Sequence, residues 1–327
     1  MKILFLTRNR ENLVCVEIWN NLEHALGKLT DSKWAGKGWP LYKPNETITQ
    51  TVERVMPDAD WVVLEKSAKI PKTRSFKVTA HIADIHGYHK LNLNAKQYAH
   101  YLNKKNWDSL AMMYQHVDGV QVPPDYFLKT LKCPIFHLAP CINPETFKPS
   151  DTPKQIDASL LGSIHPRVYP LRTDIWYRLP PLATRKRWNI FLRDRPPGAP
   201  TERRDIDRMI NQGYIVGHKY VETLQTSKVF IFGTSIFQYP LMKFVEGMST
   251  GALVMANQPS SMDALHYVPD WNFVDITRRN WRTRLEHFLS HDEEREEITS
   301  NALDTILKYH TMDIRARAWA KHLEEHS

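Results

Sequence analysis

Short apolar runs alternate with stretches of helical spacing along the whole chain. In the first half, Ile3–Leu6, Trp61–Leu64, Phe76–Thr79, Leu110–Met113 and Ile135–Leu138 read as buried strands, and Leu13–Leu26 carries apolar residues at helical spacing up to Gly27. The second half repeats the grammar. Strands are expected at Asp157–Leu161, Trp188–Leu192, Val229–Phe232, Leu253–Ala256 and Phe273–Asp275. Helices are expected at Tyr169–Arg178, Thr201–Asn211, His218–Gln225, Leu241–Ser249 and Trp281–Leu289. Regular alternation of this kind predicts an α/β chain with mainly parallel sheets. Lys33–Asn45, with Gly36, Gly38, Pro40 and Pro44, reads as a loop. Pro140–Pro153 is rich in proline and poor in apolar residues, as expected of a linker, and the stretch from Glu294 onward is helical and amphipathic.

Length and composition narrow the picture. A chain of 327 residues suits two domains of roughly 150 residues each. Its 42% hydrophobic and 24% charged content is ordinary for a globular protein. No apolar run approaches the roughly 18 residues that cross a bilayer. The opening MKILFLT is followed by Arg8, Asn9 and Arg10 and has no signal-peptide pattern, so a cytoplasmic protein is expected. Cys15, Cys133 and Cys141 show no CxxC spacing, and no metal site is expected. The formal charge of +8 points to an anionic partner: a nucleotide diphosphate, a nucleic acid or a charged surface.

Three segments carry candidate chemistry. KFVEGMSTGALVM, Lys243 to Met255, reads as a helix, a glycine turn and a buried strand, with Glu246 in the helix and Lys243 one turn before it on the same face. The helix start near Pro240 offers N–H groups and a positive dipole end that suit a phosphate. Gly247, Ser249 and Gly251 are small enough for close approach to the backbone. In LLGSIHPRVYPLR, a strand ends at Gly162, Ser163 can donate to a phosphate oxygen, and Arg167 and Arg172 place positive charge near a helix start. An ordinary strand–helix turn with surface arginines reads the same way. The third segment, HIADIHGYHK, sets Asp84, His86 and His89 in a loop after a strand, either lining a site at the sheet edge, holding a metal, or simply exposed. Trp34 and Trp39 flank a glycine-containing loop and suit either stacking on a sugar or base, core packing, or a lid.

These segments together resemble retaining GT-B glycosyltransferases. PCINPETFKPSD with IDASLLGSIHPRVYPLR is similar to their inter-domain linker and first strand–loop–helix, and KFVEGMSTGALVMANQPSSMDAL to their donor-binding helix and following loop. The spore-maturation-type (CgeB-like) members are the most similar. The resemblance implies two Rossmann-like domains facing each other across a cleft: an acceptor domain at residues 1–145, a nucleotide-sugar domain at 146–305, and a C-terminal helix at 306–327 bracing the first domain. It implies that Glu246 holds the ribose hydroxyls, that Lys243 neutralises the diphosphate, and that Gly162, Ser163, Arg167, Arg172, Ser260 and Ser261 line the donor pocket. Asp84 and His86 would face the acceptor as catalytic residues, one of them orienting its hydroxyl or accepting its proton. YIVGHK, Tyr214 to Lys219, would approach the base.

Two departures stand out. Many members carry two glutamates separated by seven residues, but the first position here is Gln238, which can hydrogen-bond a donor sugar without charge. The loop after the first strand, TRNREN, has no glycine. The implied activity is metal-independent transfer of a sugar from a nucleotide-diphosphate sugar, which is a co-substrate rather than a cofactor, to an acceptor hydroxyl on a glycan, a protein or a modified DNA base. A nucleotide-sugar epimerase of the same architecture, and a nucleic-acid-binding protein with a degenerate donor site, are the alternatives.

Overall fold

The computed structural model describes residues 1–9, 17–82, 95–112, 129–195 and 203–327. These fall into two compact units, one comprising the described residues up to Ala139 together with Met312–Ser327, the other Pro140–Thr311.

The first unit is built on β1 (Lys2–Phe5), β2 (Asp31–Trp34), β3 (Trp61–Leu64), β4 (Lys77–Ile82), β5 (Leu110–Met112) and β6 (Ile135–His137). They form one six-stranded sheet in the order β2-β1-β3-β4-β5-β6. Every pairing in it is parallel. The central strands are buried along their length, as a parallel sheet with covered faces requires. Among the described residues α1 (Glu17–Gly27), α2 (Ile48–Val55) and α3 (Ala95–Lys104) accompany it, together with the last helix of the chain. Helix α2 starts with a capping box in which Thr47 and Gln50 satisfy each other's backbone N–H groups. Leu4, Val62, Val78, Ile82, Leu102 and Trp107 lie in a single buried cluster.

Strand β2 occupies the start of the stretch expected to be a loop. Its sequence, DSKW, alternates exposed and half-buried positions, as suits an edge strand with one wet face. Trp34 stacks on Phe5 with ring centroids 5.1 Å apart, so it is a packing residue. Its ring lies where a Cβ on Gly27 would sit, at 2.5 Å, which explains the small residue there without a left-handed cap. The Trp39 indole donates to Thr7 O at 3.2 Å.

The second unit is a sheet of β7 (Ile156–Leu161), β8 (Ile190–Arg193), β9 (Ser227–Ile231), β10 (Leu253–Ala256) and β11 (Val274–Asp275). The order is β11-β10-β9-β7-β8, again parallel throughout. Its helices are α4 (Pro170–Lys186), α5 (Arg203–Asn211), α6 (His218–Gln225), α7 (Met242–Ser249), α8 (Met262–Leu265), α9 (Trp281–Ser290) and α10 (Asp292–Tyr309). Helix α4 runs eight residues past the expected end at Arg178 and passes through Pro180 and Pro181. Both prolines are exposed, while Leu179, Leu182 and Ala183 keep the inner face buried, so packing overrides the local break.

The chain leaves this unit beside the place where it enters. Ile142 bridges Thr311 in parallel, and the ring nitrogens of His310 lie 3.0 Å from Pro140 O and 2.7 Å from Leu265 O. The last helix, α11 (Met312–Glu325), belongs to the first unit, where Trp319 is fully buried. The helical tail expected from Glu294 is therefore two helices, broken at His310 and Thr311.

Candidate functional site

In the second sheet β7 has β8 on one side and β9 on the other, so the connections from β7 and β9 leave in opposite directions. A crevice outside the carboxyl ends of these two strands is where open parallel sheets take ligands. The sequence places Gly162–Ser163 directly after β7 and Gly233–Thr234 shortly after β9.

Gly162 has φ +113, a backbone conformation that disfavours any side chain. A Cβ there would meet Lys243 Cε and Nζ at 3.0 Å and Arg172 Nη1 at 3.5 Å. The glycine is thus the floor on which two cations from separate helices converge.

Arg172 lies in the first turn of α4 and is only 2% exposed. Its Nη1 donates to Ser163 O at 3.1 Å and its Nη2 to Gly233 O at 2.7 Å, so one guanidinium ties the loop after β7 to the loop after β9. Its plane lies over the Tyr169 ring at 4.0 Å. No carboxylate pairs with it among the described residues, and Nε has no partner. Burial pulls its pKa down to about 10, which leaves it charged at neutral pH.

Helix α7 supplies the second half. It begins after Leu241 with no side-chain cap, so its first N–H groups keep their donor capacity. Lys243 Nζ lies 5.4 Å from the Tyr220 ring centre and 5.6 Å from that of Phe230. One turn later, Glu246 Oε2 accepts from Tyr220 Oη at 2.7 Å. Burial pushes the Glu246 carboxyl above its ordinary value, opposed by Lys243 and by the Tyr220 hydrogen bond. Tyr220 therefore serves both members of the pair: its ring lies near the cation, and its hydroxyl fixes one carboxylate oxygen.

Gly247 plays a different part from the one its size suggested. A Cβ there would meet Val254 Cγ2 at 2.6 Å and Phe230 Cδ1 at 2.8 Å, so what approaches its backbone is the protein's own sheet. Ser249 is buried and bonds Glu246 O at 3.1 Å, and Gly251 (φ +74) makes the turn into β10.

Two loops close the site. Asn257 accepts from Thr234 N at 2.7 Å, and Ser260 N donates to Gln238 O at 2.5 Å, which joins the loops after β9 and β10. Gln238 (φ 52) and Ser261 (φ 61) are left-handed residues other than glycine, a strain that tends to gather where a loop is shaped for a ligand. Ser260 is buried and Gln238 exposes its side chain.

Of the expected site residues, Gly162, Ser163, Arg172, Lys243 and Glu246 come together at the β7–β9 edge, and Gln238, Ser260 and Ser261 share the adjoining loops. Arg167 is exposed in the turn before α4 and has no partner among the described residues. Asp84 and His86 lie outside the described residues.

Sequence reasoning missed Tyr220, which comes from α6, and the carbonyls that receive Arg172. It also passed over Glu23 in the first unit. That carboxylate is fully buried, accepts from Thr7 Oγ1 at 2.7 Å and lies 3.7 Å from His81 Nδ1, linking α1 to the ends of β1 and β4. Helical spacing alone marks Glu23 as an interruption of an apolar face, which is the one signal the sequence offers.

A family described as glycosyl transferase-like matches residues 179–321, less than half of the chain. Sucrose-phosphate synthase from Thermosynechococcus elongatus is similar along the full chain, with 11% identity, a TM-score of 0.67, and 99% and 98% of the two chains covered. HepE from Anabaena, in complex with UDP-glucose, is similar at 10% identity and a TM-score of 0.61, covering 99% of this chain and 100% of that one. A glycosyltransferase from Rickettsia africae gives 11% identity and a TM-score of 0.59 over 99% and 98% of the chains. No curated protein sequence matches. The structural likenesses show the fold: the α/β architecture with two parallel sheets of GT-B glycosyltransferases. Residues 179–321 are the part of the chain that matches the glycosyl transferase-like family.

Proposed function

We propose that the protein is a glycosyltransferase that binds a nucleotide-diphosphate sugar at the β7–β9 edge of its second sheet and moves the sugar to an acceptor hydroxyl. The observation that carries this reading is the convergence of Lys243 and Arg172 on Gly162, with Glu246 one turn further along α7.

A departing nucleoside diphosphate gains negative charge as the glycosidic bond breaks, and preorganised positive groups stabilise that charge most effectively where water is scarce. Lys243 and the uncapped start of α7 are the direct donors in this reading. Arg172 is committed to Ser163 O and Gly233 O and acts as fixed charge behind the loop, while exposed Arg167 is free to reach outward. Glu246 accepts the ribose hydroxyls, a vicinal diol that a carboxylate can take as two hydrogen bonds. Tyr220 holds Oε2 and so sets the plane of that carboxylate.

Gln238 meets the donor sugar through its amide, and Ser260 and Ser261 line the same pocket. With cations already in place for the diphosphate, the reaction runs without a metal. The anomeric configuration is retained, the leaving phosphate taking the acceptor proton. Asp84 and His86 orient the acceptor. The resemblance of KFVEGMSTGALVM to the spore-maturation-type enzymes supports the same reading. The likeness to a structure holding UDP-glucose supports a uridine donor as the first to test.

The test is turnover of UDP-, GDP-, ADP- and TDP-sugars with water as the acceptor, followed as released nucleoside diphosphate and by NMR of the free sugar's anomer before it mutarotates. One donor is expected to turn over, with activity lost in Glu246→Ala and unchanged in EDTA. Loss of turnover in EDTA would contradict metal independence. Failure to cleave any of these donors would contradict the transferase reading itself.

A further inference from the structure

A second site lies between α8 and α10, within the second unit, on the segment that follows the loop carrying Ser260 and Ser261. The turn after α8 contains two left-handed residues other than glycine, His266 (φ 55) and Asp270 (φ 60). Asn272 is fully buried at its centre. Its Oδ1 accepts from Val268 N at 2.8 Å, and its Nδ2 donates to His266 O at 2.7 Å and to Thr305 Oγ1 at 3.0 Å. Asp270 N bonds Phe273 O at 2.7 Å, and the Asp270 carboxylate pairs with Arg284.

This network holds Trp271 at 48% exposure. A single exposed apolar side chain is unremarkable, but here two strained residues and a buried amide fix its position. Tyr309 stacks on His266 at 3.8 Å, with Lys308 Nζ 5.0 Å from the Tyr309 ring centre. Asp263 and Asp304 complete a groove of about 600 Å³.

Aromatic side chains with carboxylates among them match one class of ligand closely. A pyranose ring has an apolar C–H face that packs on an indole or phenol, and an edge of neighbouring hydroxyls that donate to carboxylate oxygens. An apolar protein surface would have to bury Asp263 and Asp304 unpaired, and a cationic peptide would meet Lys308 inside the groove. We infer that this groove is a saccharide subsite that holds a segment of neutral oligosaccharide. If the transferase reading holds, the groove keeps a glycan chain on the enzyme between transfers, but its ligand class does not depend on that reading.

The experiment is titration calorimetry of the full chain with maltohexaose, cellohexaose and chitohexaose, in parallel with Trp271→Ala, Asp304→Asn and Glu246→Ala. At least one hexasaccharide is expected to bind the wild type. Its affinity should fall about tenfold in Trp271→Ala and in Asp304→Asn and stay unchanged in Glu246→Ala. Absence of binding by all three sugars, undiminished binding in Trp271→Ala, or competition by hexalysine that displaces the sugar would each overturn the inference. Nucleotide binding measured on the same variants separates the two sites: sugar binding without nucleotide binding upholds the groove and defeats the donor site.

Discussion

Glu246 is held where its charge is costly and useful at once. Burial raises its pKa above the ordinary 4.5, so the folded chain takes up a proton there more readily than the unfolded one. The corresponding stability is present in acid and is lost as pH rises through the folded value. Glu246→Gln should therefore match the wild type in acid and exceed it in melting temperature at neutral pH, while nucleotide affinity drops about tenfold with the lost charged acceptor. Melting curves across pH beside binding isotherms check both halves. A variant less stable than wild type at pH 7 would show the carboxylate to be a structural group.

Tyr220 gives a sharper test of the same site. Its hydrogen bond lowers the Glu246 pKa, so Tyr220→Phe should raise it further and move the acid limb of nucleotide binding to higher pH, with the ring near Lys243 kept. An unchanged pH profile would mean that Tyr220 does not hold the carboxylate that binds ligand.

At the scale of elements, α7 must lie close to its sheet to bring Lys243 over Gly162. Gly247→Ala places a methyl group 2.6 Å from Val254 and 2.8 Å from Phe230, and should cost about 1–3 kcal/mol in denaturant unfolding. No loss would mean that α7 can shift outward freely.

The elements also show what the chain reveals in advance. Strands such as Trp61–Leu64 and Leu253–Ala256 are continuous apolar runs buried on both faces, and they are legible as such. Edge strand β2 is not, because its polar alternation resembles a loop. Helix α4 outruns its prolines because its buried face continues beneath them. In the site, Lys243 and Glu246 are legible from a spacing of three within one helix. The Arg172 clamp is not, since backbone carbonyls leave no mark in a sequence, nor is Tyr220, which reaches the pair from another helix. Gly247 looked permissive for a ligand because a small residue reads alike whether a substrate or a neighbouring strand comes near.

On the scale of the whole molecule, the first unit is completed by the end of the chain. Trp319 on α11 is fully buried, with its ring 4.7 Å from that of His81 and 6.5 Å from that of Phe136. Ser109 Oγ meets His322 Nε2 at 2.8 Å, and the Trp61 indole donates to Ser327 Oγ at 2.9 Å. Trp319→Ala should cost about 3–5 kcal/mol, seen as early unfolding of the first unit in hydrogen exchange. Early exchange confined to the second unit would contradict this.

The formal charge of +8 is a property of the whole molecule. In this account part of that excess serves a diphosphate at one sheet edge, and none of the described helices is long and apolar enough to cross a membrane. The most direct test is calorimetric titration of wild type and Glu246→Ala with UDP, GDP, ADP and TDP. One of these diphosphates should bind the wild type, and its affinity should fall at least about tenfold in the variant. Equal binding by both proteins, or binding of none of the four, would contradict it.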